Sequence, residues 1–388
     1  MSRPEILRFL ETERFPVTPE HPAWGKPLPR KPGPGSGASA AAAYPTVGDY
    51  FGALEGFCRG EGRGLLAQLH HRAAAAEAPL EEIRIFLSRH GAFYHPARLV
   101  TRGGGCAGEW VVNVAYAAEA RRMLERETAI LSRLRAETGL PFLPEVCGCF
   151  AIAPPTGPPC SLWVGEWFSG FCEFHLHRAD PGGTPRPVLW EEGGSRVELE
   201  PQAARAIYRE AARILTLYLR LESFEEIALW HHAAGDFVVR PGAGGAEVRL
   251  TTVRDYRPLF GGSAGVGEGI AARLERLLLF FLALSLHTRL DRLDGTGDFV
   301  LAPEETVSAT REGVLAALAA KSEGFPLAEA FAAFLASCNA EDLLDLCRAI
   351  VARRYVPGSP ERLLLEAELP AHAAALHRAA RQEAIPPR

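Results

Sequence analysis

The side chains best suited to chemistry cluster in WHHAAGDFVVR, Trp230–Arg240. Histidine changes charge near neutral pH and serves as a general base, so adjacent His231 and His232 could move a proton or contact a phosphate. The alternative is a pair of loop histidines satisfied by backbone carbonyls. Asp236, which follows small residues, could hold a cation or simply cap a turn, because aspartate does both. The same two readings apply to Asp255 in VRLTTVRDY. Within EARRMLERETAILSRLRAE, Glu127 could pair with Arg126 or Arg133 on a solvated helix face.

Other ligand-capable residues carry less. Cys147, Cys149, Cys160, Cys172, His175 and His177 are all zinc-capable, but Cys147 and Cys149 are separated by one residue, where zinc ligands are usually spaced two to four apart. Small apolar cysteines packed in strands fit better. RLDRLDGTGDFV brings Asp291, Asp294 and Asp298 close, yet lacks the order of a calcium loop and reads as a helix end followed by a Gly-containing turn. His287 and Arg289, on that helix, could face a cleft. No G-x-S-x-G elbow and no H-E-x-x-H helix occurs, which argues against a serine hydrolase and a zinc protease.

Bulk properties narrow the class. A net charge of −5 and a pI near 6.2 give no support to a broad nucleic-acid surface. The longest apolar run, LLLFFLALSL, reaches roughly half a bilayer span and reads as a buried helix, so no membrane partner is expected. Acids among the first residues argue against a secretory signal, and eight scattered cysteines lack a disulfide rhythm. A cytoplasmic protein is the expectation.

Those residues must be placed by elements. With 388 residues the chain can form two lobes. Residues 1–26 read as a helix, 27–45 as a Pro/Gly/Ala-rich linker and 46–89 as a helical extension that includes PLEEIRIFLSRH. Residues 90–170 read as a small sheet with one helix inserted after its early strands. Residues 171–388 read as mainly helical, interrupted at 230–256 by a loop and a β-hairpin, DFVVR and AEVRLTTV joined through PGAGG. The fold class is α+β.

This order of parts resembles the protein-kinase-like superfamily, in its aminoglycoside-phosphotransferase and choline-kinase branch, over about residues 85–300. The resemblance implies a two-lobe fold: an antiparallel-sheet N-lobe with one inserted helix, then a helical C-lobe. It aligns VVNVAY with the strand that carries the family's phosphate-binding lysine, here Asn113, and Glu127 with the helix glutamate that orients it. LWVGEWFSGF resembles the hinge beside the adenine, with Glu166 and Trp167 at its turn. The family's catalytic loop, H-x-D-x-x-x-x-N followed by a short apolar strand, aligns Asp236 with the metal-binding asparagine and His231 with the catalytic aspartate. VRLTTVRDY resembles the second hairpin strand, which in the family ends in a magnesium-chelating aspartate, here Asp255. RHGAFYHP, with His90, Gly91 and His95, could cap phosphates, whereas Arg102-Gly103-Gly104-Gly105 reads as a plain hairpin turn.

Three functions follow from these readings. The first is an atypical phosphotransferase using ATP and Mg²⁺ on a small-molecule or protein acceptor, with Asp236 and Asp255 on the metal and His231 or His232 at the acceptor or phosphates. The second is a pseudokinase, motivated by Asn113 and His231 standing where lysine and aspartate belong. The third is an α+β interaction protein that binds no nucleotide.

Overall fold

The computed structural model describes residues 3–10, 15–29, 44–75, 77–87, 94–180, 182–191, 195–232, 235–242, 245–259, 269–321 and 325–382. Helices and strands mix along the chain, an α+β fold that divides into two units, Met1–Ser169 and Gly170–Arg388.

The first unit is built on a six-stranded sheet. Its strands are β1 (Glu5–Leu10), β2 (Glu82–Leu87), β3 (His95–Gly103), β4 (Cys106–Ala115), β5 (Val146–Ile152) and β6 (Cys160–Glu166), in the order β1-β2-β3-β4-β6-β5. β1 runs parallel to β2, and the other pairings are antiparallel. Among the described residues three helices complete the unit, α1 (Val47–Arg59), α2 (Arg63–Ala74) and α3 (Ala118–Thr138). Helix α1 starts at a capping box. The Thr46 hydroxyl accepts from the Asp49 N–H, and the Asp49 carboxylate accepts from the Thr46 N–H. Its Tyr50, Phe51, Leu54, Phe57 and Cys58 recur at helical spacing and are fully buried against Ile83, Ile85, Val112, Val114 and Leu162 of the sheet. Helix α3 packs on β4, β5 and β6 through another stripe, Leu124, Glu127, Leu131 and Leu134. Cys149 hydrogen-bonds Thr128 of α3, while its strand neighbour Phe150 meets Phe57 of α1. Because side chains alternate across a strand, α1 and α3 cover opposite faces.

Two sequence expectations fail in this unit. Residues 5–10 form strand β1 rather than a helix, because the apolar spacing of Ile6, Leu7, Phe9 and Leu10 suits either state and pairing with β2 decides it. EIRIFL, read within a helical extension, is strand β2: its Ile83, Ile85 and Leu87 alternate inward with period two, beyond the breaker Pro79. The phosphate-capping candidates His90 and Gly91, and most of the 27–45 linker, lie outside the described residues. Gly104 and Gly105 adopt φ of 56° and 78° at the β3–β4 connection, the backbone of a plain hairpin turn.

The second unit opens with β7 (Cys172–His177), β8 (Arg186–Trp190), β9 (Arg196–Glu198), α4 (Pro201–Leu217) and β10 (Glu225–Ala228). Next come β11 (Phe237–Gly242), β12 (Gly245–Leu250), β13 (Asp255–Pro258), α5 (Ile270–Arg289), β14 (Leu290–Arg292) and β15 (Phe299–Leu301). Four helices follow among the described residues: α6 (Glu305–Ala320), α7 (Leu327–Ser337), α8 (Ala340–Arg354) and α9 (Pro360–Ala380). A five-stranded sheet runs β12-β11-β7-β8-β9, while β10 pairs with β13 and β14 with β15. Residues 171–200 therefore hold strands that the mainly helical expectation omitted. Their short apolar pairs, such as Phe174 with Leu176 and Val188 with Leu189, are buried by the sheet itself. The apolar run in α5 is a core helix packed against α6, α7 and α8. Among the described residues no helix is long and apolar enough to cross a membrane.

Candidate functional site

The loop singled out in the sequence links two different ladders, leaving β10 after Ala228 and entering β11 at Phe237. Its aspartate is tied down from several sides. Arg254, between β12 and β13, grips the Asp236 carboxylate with both arms of its guanidinium, Nη1 to Oδ2 at 2.7 Å and Nη2 to Oδ1 at 2.6 Å. The His231 backbone N–H donates to Oδ2 at 2.7 Å. The Asp236 carbonyl accepts from the Thr251 N–H at 2.7 Å, which anchors the first residue after β12 to the residue before β11. The Asp236 side chain is 2 % exposed and that of Arg254 16 %. A forked, charge-assisted pair in so little water is among the stronger polar contacts a fold can make. Arg254 Nη1 also donates to the Leu229 carbonyl, so one guanidinium joins both ends of the loop. Gly235 sits at φ 69°, in the left-handed region, so the backbone of the turn into Asp236 favours glycine.

The two histidines occupy different surroundings. His232 is 2 % exposed in a box of rings, 5.0 Å from Phe174, 5.3 Å from Trp230, 5.5 Å from Phe237 and 5.8 Å from Tyr208 between centroids. Burial holds it neutral, well below the usual imidazole range, with the neighbouring histidines adding to the effect and the Thr288 backbone opposing it. His231 stacks edge-on to His287 at 5.5 Å. Burial, with Arg292 and Arg254 beside it, pushes its pKa down to about 4. His287 Nε2 lies 2.6 Å from the Trp230 carbonyl and Nδ1 3.0 Å from the Tyr355 hydroxyl; burial takes it down to about 3. At neutral pH all three rings are uncharged. A base of such low pKa is poorly matched to proton abstraction near pH 7.

Asp255 stands elsewhere. The second hairpin strand ends at Leu250, so Asp255 does not terminate it. It opens β13 opposite Ala228, with its carboxylate 3.2 Å from Arg257. The cause is register, because alternation does not fix where a strand stops. Asp291, once grouped with Asp294 and Asp298, accepts from the Leu176 and Arg292 backbone N–H groups. Burial raises its pKa to about 6. Among the described residues no three His, Cys, Asp or Glu side chains gather as a metal site, the cysteines and histidines of 147–177 included.

In the first unit, Asn113 lies on β4 between Pro96 and Trp163, on the face opposite Val112 and Val114. Glu127 is 1 % exposed on the sheet-facing stripe of α3, a buried carboxylate and not part of a solvated helix face. Glu166 ends β6 and accepts from the Glu145 N–H at 3.2 Å and from Arg135 at 3.4 Å. The Arg98 guanidinium lies 5.9 Å from the Trp167 ring centroid. His95 packs at the start of β3, 2.7 Å from the Tyr44 hydroxyl.

Sequence reasoning missed Arg254. Its one signal was a cation inside VRLTTVRDY, where a chelating carboxylate was sought.

No protein-family model matches this chain and no curated protein matches it. A solved structure of WaaP in complex with acyl carrier protein is similar at a TM-score of 0.31 and 13 % identity, over 67 % of this chain and 86 % of that one. A likeness of that size assigns neither fold nor function.

Proposed function

We propose that this chain is a kinase-like pseudoenzyme, a binding scaffold that carries out no metal-dependent phosphoryl transfer. The observation behind this reading is the clamp of Arg254 on Asp236. In the resemblance drawn from sequence, Asp236 takes the metal-binding place in the loop, and the strand after the hairpin turn should end in a second chelating aspartate. Here that strand ends at Leu250, and Thr251, Thr252 and Val253 lead to Arg254; the acid that follows, Asp255, opens β13 with its carboxylate 3.2 Å from Arg257. Mg²⁺ needs near-octahedral oxygen ligands, usually one or two carboxylates with waters and phosphates. Both Asp236 oxygens already accept guanidinium donors, so the donor set does not fit a resident Mg²⁺. Displacing Arg254 would strand a largely buried cation.

The other substitutions point the same way. Asn113 brings no positive charge to a phosphate, and transfer depends chiefly on positioning and charge. His231 is neutral where a fixed negative charge is expected, and His232 is enclosed by rings. The division of the chain, and helix α3 inserted between strands β4 and β5 of the sheet, suit the kinase-like reading. The test is release of phosphate from ATP with Mg²⁺ or Mn²⁺. No turnover above the uncatalysed background is expected. Metal-dependent turnover abolished by Asp236→Asn would overturn the reading in favour of an atypical phosphotransferase.

A further inference from the structure

A cavity of about 390 Å³ in the second unit is lined by Leu229 and Trp230 of the loop together with α4, α5, β10, β13 and the end of α8. This volume lies in the range that holds small-molecule ligands. Its lining is divided by polarity. Apart from Glu226, the buried side chains are apolar, among them Leu215, Ile227, Phe280 and Leu284. The exposed charged ones are Arg257, Arg353 and Arg354; among the described residues Glu226 is the single lining carboxylate, and Asp255 pairs with Arg257 from outside the lining at 3.2 Å. An apolar base beneath a cationic mouth complements a molecule with an apolar body and one negative head.

Two features of the wall are hard to explain by folding alone. Leu229 is 54 % exposed and adopts φ 51°, a conformation that costs a branched side chain and is otherwise rare. The Arg254 hydrogen bond to its carbonyl helps hold it there. Glu226 is buried, and its carboxyl is raised by desolvation even though Arg354 Nη2 donates to it at 2.9 Å. A guanidinium carries five N–H donors, so Arg354 can keep Glu226 and still reach a second anion.

We infer that this cavity binds a small amphipathic carboxylate, its head at Arg257, Arg353 and Arg354 and its apolar body against Ile227, Phe280 and Leu284. The site stands on its own geometry and not on the kinase-like reading, and none of its lining residues is one the Mg²⁺ question turns on. Calorimetric titration of the full chain with sodium octanoate tests it, with octylamine and butyrate as comparison ligands. Octanoate is expected to bind saturably. Octylamine, with the wrong charge, and butyrate, with too short a body, should each bind at least tenfold more weakly. Arg257→Gln/Arg353→Gln removes the charge from two exposed side chains, and the Arg257–Asp255 pair it gives up is a partly exposed one of little worth. It should keep the wild-type melting temperature and circular dichroism, yet bind octanoate at least tenfold more weakly. Ala283→Leu, which fills the base from α5, should reduce binding independently of charge. No saturable octanoate binding, octylamine binding as tight as octanoate, or an unchanged affinity in the double variant would each overturn the inference.

Discussion

Asp236→Ala is expected to cost about 3 kcal/mol of folding stability, the lower end of the range for breaking a buried ion pair, because Arg254 keeps a little access to water. That loss is a large part of a typical domain's 5–15 kcal/mol. Most of it arises from what is left behind. The guanidinium loses both charge-assisted bonds, and the His231 N–H loses its acceptor. Asp236→Leu combined with Arg254→Met should recover most of the loss, since two apolar groups of similar volume leave no charge stranded. Urea denaturation of the single and double variants measures this as a coupling energy. A metal-ligand role predicts the opposite, because removing one of several mutually repelling carboxylates relieves the free protein. An Asp236→Ala variant as stable as wild type would therefore reject the clamp.

Acid should weaken the second unit well before its carboxylates titrate as a group. An unfolded histidine takes up its proton near 6.5, whereas folded His287 and His372 do so near 3. Between those values the unfolded chain binds more protons, so stability is fully present above pH 6.5 and is lost as pH falls. Burial is the main cause at both residues. His287 also faces His231, the Trp230 carbonyl, Arg354 and the Tyr355 hydroxyl, and His372 sits between Ser285 and Arg289, whose guanidinium lies 3.1 Å from Nδ1. Each histidine should remove about 2 kcal/mol by pH 5. Asp291 works the other way. Its raised carboxyl favours the folded state as pH falls, by about 1 kcal/mol over the same interval. The histidines outweigh it. The urea midpoint is expected to fall clearly between pH 7.5 and pH 5.0. Equal midpoints would mean that these rings are hydrated in solution.

The parts of this structure legible in the sequence are those with local causes. The 237–250 hairpin shows two apolar strands around a Gly-rich turn, and α3 shows a leucine stripe on a charged helix. The long C-terminal helices follow from their spacing alone. β1 was not legible, because its pairing joins Glu5 to Glu82 across a separation that no local pattern reports, whereas β2 does carry a local signal in the period-two alternation of Ile83, Ile85 and Leu87. The loop shows the same division. Asp236 could be picked out as an acid after small residues, but its partner lies eighteen residues on, brought back by the hairpin. The aromatic box around His232 draws on β7, α4, β11 and the loop itself, so adjacent histidines that suggest a catalytic pair fold into unlike surroundings. Which strand Asp255 belongs to depends on where β12 stops, and that is a matter of pairing.

The most direct test of the clamp is calorimetric titration of the full chain with ATP, in the presence and in the absence of Mg²⁺. With Asp236 engaged by Arg254, the ion should leave any nucleotide affinity unchanged within a factor of about three, under 1 kcal/mol. A tenfold or greater gain in ATP affinity on adding Mg²⁺ would contradict the account and return Asp236 to the role of a metal ligand.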